Sequence, residues 1–172
     1  MNDVDAMSLG LLILRVWVGV VMIAHGYRHI FGGGKIKGTA GWFESLGMKP
    51  GIIHAWLASL TELGAGAALI AGLATPLGAA GVIGTMFVAF VTNHRPNGFF
   101  IFYKGEGYEY VVSLIAASFG IAAAGAGKFS LDHAAKFTWA YGDTGLYIAL
   151  AGLAGGIALL AAFWRPEKKP AS

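Results

Sequence analysis

Five apolar runs, most of them close to the length that crosses a bilayer, leave this chain little choice of environment. They cover residues 8–31, 52–74, 76–92, 108–124 and 146–164. A helical span needs roughly 20 residues, and the short third run comes nearer that length by extending through Asn93. Only 12% of the residues are charged, against about 25% in an ordinary soluble domain, which is too few to cover a soluble surface. The 27 glycines suit close helix contacts in lipid better than a soluble helical core, where each costs about 1 kcal/mol relative to alanine. The expected fold class is an all-α membrane protein with four or five spans.

The segments between the runs fit that plan. The leader before the first run carries Asp3 and Asp5 instead of a basic stretch, and Arg15 interrupts the run, so a cleaved signal peptide is not expected. Residues 42–46 read as a short interfacial helix. A second one, about 131–141, has Ser130 or Asp132 as its cap. Phe99, Phe100, Phe102 and Tyr103 belong at headgroup level. Gly64, Ala68 and Gly72, and likewise Gly152 and Gly156, repeat every four residues and form small-residue packing faces.

Loop charge sets an expected orientation. With five spans, one end carries Arg28, Lys35, Lys37, Lys49, Arg95, Lys104, Arg165, Lys168 and Lys169. The other carries Lys128 and Lys136 beside Asp3, Asp5, Asp132 and Asp143. The positive-inside rule puts the N-terminus outside and the C-terminus in the cytoplasm of a cell inner membrane. The net charge of +3 lies in these loops, with no aromatic-interleaved basic stripe, so nucleic acid is not an expected partner. The absence of cysteine excludes thiol redox chemistry and thiolate iron–sulfur sites on this chain.

Ionisable residues inside spans are costly, about 2.5–3.5 kcal/mol each at a helix centre, and each needs a reason. The candidates are Arg15, His25, Glu62 and Glu109. Counting from the outer ends of the runs puts Arg15 about 10 Å deep, Glu62 about 18 Å and His25 about 25 Å. An Arg15–Glu62 pair is therefore expected, with His25 and Glu109 on its cytoplasmic side. The functional reading is a polar pocket that opens to the cytoplasm and holds a quinone head group, a proton or a small redox molecule. Arg15, Glu62 and His25 are the catalytic candidates; His25, His29, His94 and Glu109 are candidates for holding the cofactor. The bland reading is an ion pair that fixes helix register. His25 and His29, four apart, share a helix face, but no third ligand is fixed, so no metal is expected.

Arg15, Gly19 and His25–Gly26, then TELGAGAALIAGLATPLGA at 61–79, His94, Glu109 and GAGKFSLDH at 125–133 together resemble the DoxX/DoxD family of small bacterial membrane proteins. The resemblance covers about residues 11–133. It implies a four-helix transmembrane bundle over residues 1–134. Residues 135–172 then add an interfacial segment, a fifth C-terminal transmembrane helix and a cytoplasmic tail. It also implies a subunit of a quinone-linked oxidoreductase system, with quinone as cofactor. The expected partners are the lipid bilayer, other oxidoreductase subunits or a soluble redox enzyme, and a second copy of the chain. The rival readings are a non-catalytic scaffold that recruits a soluble redox enzyme through the basic loops, and a small transporter.

Overall fold

The computed structural model describes residues 2–137 and 140–166. Lys168 and Lys169, counted above among the basic end groups, lie outside the described residues, as does part of the segment expected to form the helix over 131–141.

The chain folds into helices α1 (Asp3–Phe31), α2 (Lys35–Ser45), α3 (Gly51–Ala71), α4 (Thr75–Ala89), α5 (Glu109–Ala124), α6 (Leu131–Ala134) and α7 (Asp143–Phe163). Among the described residues four stretches are long and apolar enough to cross a membrane: α1, α3, α4 extended through Asn97, and α7. Helix α5 is apolar but has only 16 residues, about 24 Å of rise. The third run gains its length because α4 continues through a π-helical turn (Phe90–His94) and a 3-10 turn (Arg95–Asn97) before Gly98 ends it. Of the two interfacial helices expected, α2 is longer than foreseen. The other is the single turn α6, capped by Ser130, whose hydroxyl accepts from the His133 N–H at 3.1 Å.

Apolar side chains such as Met22, Leu69 and Ile83 fill the interior, yet the outside is apolar as well. Large apolar side chains such as Ile13, Trp17, Leu60 and Leu77 face outward, 58–66% exposed. Arg15, His54, Glu62 and Asp132 lie inside at 1–2%. Such a surface is stable only against acyl chains.

Helices α1 and α3 run antiparallel at close range because Gly19 and Gly66 face each other. A Cβ on Gly19 would sit 2.7 Å from the Gly66 carbonyl, and one on Gly66 would sit 2.6 Å from that of Gly19. The expected face of Gly64, Ala68 and Gly72 is not this contact. Gly64 has nothing within 4 Å, and Gly72 is the left-handed C-cap of α3 at φ 62°. The Gly152–Gly156 face does pack, against Ala80 and Gly84 of α4. Helix α7 is also pinned at its far end. Trp164 Nε1 donates to Leu46 O at 3.0 Å, and the Arg165 N–H to Gly47 O at 2.8 Å.

Candidate functional site

Arg15 and Glu62, the two charges buried deepest in the spans, do not meet. Arg15 points to the end of the bundle that holds the N-terminus. Its Nη1 donates to Leu69 O at 2.7 Å and Ile70 O at 2.6 Å, its Nε to Ala126 O at 3.3 Å, and its Nη2 to Phe129 O. The first two acceptors belong to the last turn of α3, where carbonyls lack helical partners and the helix dipole is negative. The other two belong to the GAGKFSLDH segment. Asp132, in the same segment, accepts from the N–H groups of Ala74 at 2.7 Å and Thr75 at 2.9 Å, which caps the start of α4. Tyr141, in the loop beyond, is pushed up to about 12 by burial and then by the Asp132 carboxylate, so it stays neutral and adds no counter-charge to Arg15. The result is a knot in which one guanidinium ties α1, the end of α3 and the loop after α5, with Asp132 adding α4.

Two physical facts move Glu62 out of the arginine's reach. Gly19 opposite Gly66 puts Arg15 level with Ile70, so Glu62 lies eight residues away along α3, about 12 Å. Aligning the ends of the apolar runs misses that register by close to one turn. Side chains also lean toward the N-terminus of their own helix, so Arg15 leans one way and Glu62 the other. Glu62 comes instead against His29, with Oε2 3.1 Å from Nδ1. The two atoms are close enough for an ion pair but off line for a hydrogen bond, and each lacks an aligned partner. The expected Arg15–Glu62 pair is thus replaced by His29–Glu62.

Around that pair lies a cavity of ≈ 760 Å³, within the range of about 300–1,000 Å³ typical of small-molecule sites. His25, His29, Glu62 and His94 line it. Arg15 and Glu109 do not: Glu109 opens α5, and its neighbour Tyr110 forms the wall there. The His25 ring stacks on Tyr110 with centroids 6.2 Å apart. His94 is presented by the π-helical turn, and its Nδ1 lies 2.9 Å from Glu106 O. Such turns often mark functional positions in helices. Trp42 and Phe43 of α2 and the small residues Gly152, Gly155 and Gly156 of α7 supply further wall, and the cavity stays partly open.

One residue passed over in the sequence belongs to this site. His54 of α3 lines the cavity, is 2% exposed, and has neither ring nitrogen hydrogen-bonded; its ring meets Phe163 edge-on at 5.1 Å. It stands near the start of an apolar run, where a histidine reads as an interfacial group. Its distance of eight residues from Glu62, a little over two turns, is the signal that both can face one cavity. Among the described residues no three His, Asp or Glu side chains converge as metal ligands.

A buried polar atom without a partner costs about 1–3 kcal/mol. The cavity holds several along its length: Glu62 Oε2 and His29 Nδ1 together, and both nitrogens of His54 about two turns of α3 away. Donors and a carboxylate in apolar walls suit a ligand that accepts hydrogen bonds and exchanges protons. No curated protein and no solved structure matches the chain. A family model described as DoxX matches residues 10–95, half of the sequence, a stretch that contains Arg15, His25, His29, Glu62 and His94.

Proposed function

The chain belongs to the DoxX family, and from that premise we propose that it is the membrane-integral subunit of a quinone-linked oxidoreductase system, with the quinone head group held in the cavity beside Glu62 and His29. The observation that carries this reading is the unpartnered Glu62 Oε2, 3.1 Å from an imidazole and walled by apolar side chains. When bound, a quinone supplies two-electron, two-proton carbonyl–hydroxyl chemistry. The residues of this chain handle the protons and the positioning. Glu62 takes or returns a proton at Oε2, beside His29 Nδ1 at 3.1 Å. The imidazole of His54 offers an N–H to an acceptor oxygen, while Trp42, Phe43 and Leu159 keep water out. His94 and Glu106 stand at the end that carries the basic loops, where protons enter. In this reading that end faces the cytoplasm and the N-terminus lies outside.

The electrons come from partner subunits or from a soluble enzyme docked on the basic end, because the chain has no cysteine to hold a redox group of its own by thiolate. The test is gentle purification followed by mass spectrometry of bound quinones and proteins, with Glu62→Gln beside wild type. Glu62→Gln is expected to insert normally and to abolish quinone-linked turnover. Full turnover in an inserted Glu62→Gln protein removes Glu62 from the mechanism. A stoichiometric soluble partner with no quinone bound supports the scaffold reading instead.

A further inference from the structure

The head-group cavity does not end at Glu62. Thr61 of α3 and Gly81 of α4 line it, and the same two residues line a second, shallower groove of ≈ 280 Å³. That groove climbs the seam of α3 and α4 toward the knot end, walled by Gly64 and Ala68 on one helix and Leu77 and Gly78 on the other. Its sides open where acyl chains lie: Leu77 is 63% exposed, and Gly64 has nothing within 4 Å of where a Cβ would stand. A row of small residues alone would be ordinary helix packing. Here it continues from a cavity in which Glu62, 2% exposed, and His54, also 2% exposed, hold polar atoms without hydrogen-bond partners.

We propose that the ligand of the cavity is a lipid quinone, with a polar head at Glu62 and a long apolar tail that leaves through the α3–α4 groove past Thr61 and Gly81. This rests on the quinone reading above and adds the substrate class: tailed, membrane-borne quinones instead of short soluble ones. The groove supplies a route more than an attraction, because a tail in the groove and a tail in the bilayer meet equally apolar surroundings. Shape therefore decides. A small-residue seam admits a chain at bundle radius, and one bulky side chain there closes the way.

The experiment uses the full chain in nanodiscs and two benzoquinones with the same ring substituents, one without a tail and one with a long isoprenoid tail. Binding is read by quenching of tryptophan fluorescence, with Trp42→Phe as the check that the signal arises at the cavity wall. The variant is Gly64→Leu, which has open space for its side chain and gains helix propensity, so it is expected to fold. Gly120→Leu, equally open on α5 and outside both cavities, controls for added bulk. Gly64→Leu is expected to weaken the tailed quinone about tenfold or more, in the range that overpacking costs, and to leave the tailless one unchanged. Equal binding of both by wild type and Gly64→Leu overturns the tail route and leaves the head-group reading standing. Loss of both in a folded Gly64→Leu protein also overturns it. Failure of wild type to bind either quinone overturns the head-group reading and the route with it.

Discussion

The knot at one end of the bundle and the cavity midway along it each bury a charge, and they treat it in opposite ways. At one end Arg15 meets four carbonyls, and Asp132 meets two backbone N–H groups. In the cavity, Glu62 has a single imidazole beside it, out of line, and His54 has no polar partner. Residue type alone would rank arginine and glutamate as equal candidates for chemistry. Saturation separates them: each guanidinium nitrogen of Arg15 donates to a carbonyl, whereas Glu62 Oε2 is left without an aligned donor.

Substitutions sharpen this contrast, because they should divide cleanly into losses of stability and losses of binding. The largest stability effect is expected from Arg15→Met, which takes the guanidinium donors from the carbonyls of Leu69, Ile70, Ala126 and Phe129; removing one side of a buried charged network costs about 3–5 kcal/mol. Thermal unfolding followed by size exclusion in detergent reads it. If Arg15→Met melts with wild type, the knot is not a structural device and the contrast fails. Asp132→Ala, which uncaps α4, is expected to cost about 1–2 kcal/mol by the same assay, without change in quinone affinity for the folded fraction.

Glu62→Gln and His54→Phe should fall at the bottom of the stability scale, within about 1 kcal/mol of wild type, because neither breaks an aligned bond. Their effects should appear in ligand binding and turnover. His54→Phe keeps an aromatic ring against Phe163 and is expected to weaken quinone binding several-fold in the fluorescence titration. A His54→Phe protein that is strongly destabilised, yet binds quinone as wild type does, would place His54 with the knot.

The sequence made the spans plain, because apolar length and scarce charge act on every residue of a run at once. The relation between spans was harder to read, because it turns on register. Gly19 and Gly26 are seven apart on α1, and Ser59 and Gly66 seven apart on α3. In the structure Gly19 meets Gly66 and Gly26 meets Ser59, so the matched spacing was the usable signal. The stripe of Gly64, Ala68 and Gly72 is as regular, yet it leads to a lipid-facing groove and a helix cap. Arg15, Glu62, His25, His29 and His94 all stood out as ionisable groups in or beside apolar runs. Which of them share a cavity followed from side-chain lean and a turn of register, neither of which spacing within one helix reveals. His54 was hidden by its neighbourhood, since a lone histidine near a helix start has an ordinary explanation.

Helix α7 supplies one wall of the cavity through Gly152, Gly155 and Gly156, and Trp164 and Arg165 latch its far end to the turn before α3. It also follows every other wall in the order of synthesis. Until α7 is in place, the cavity lacks the wall that Gly152, Gly155 and Gly156 supply. Enclosure is the closing act of biogenesis, and a nascent chain halted before α7 would sit in the membrane with the cleft still gaping.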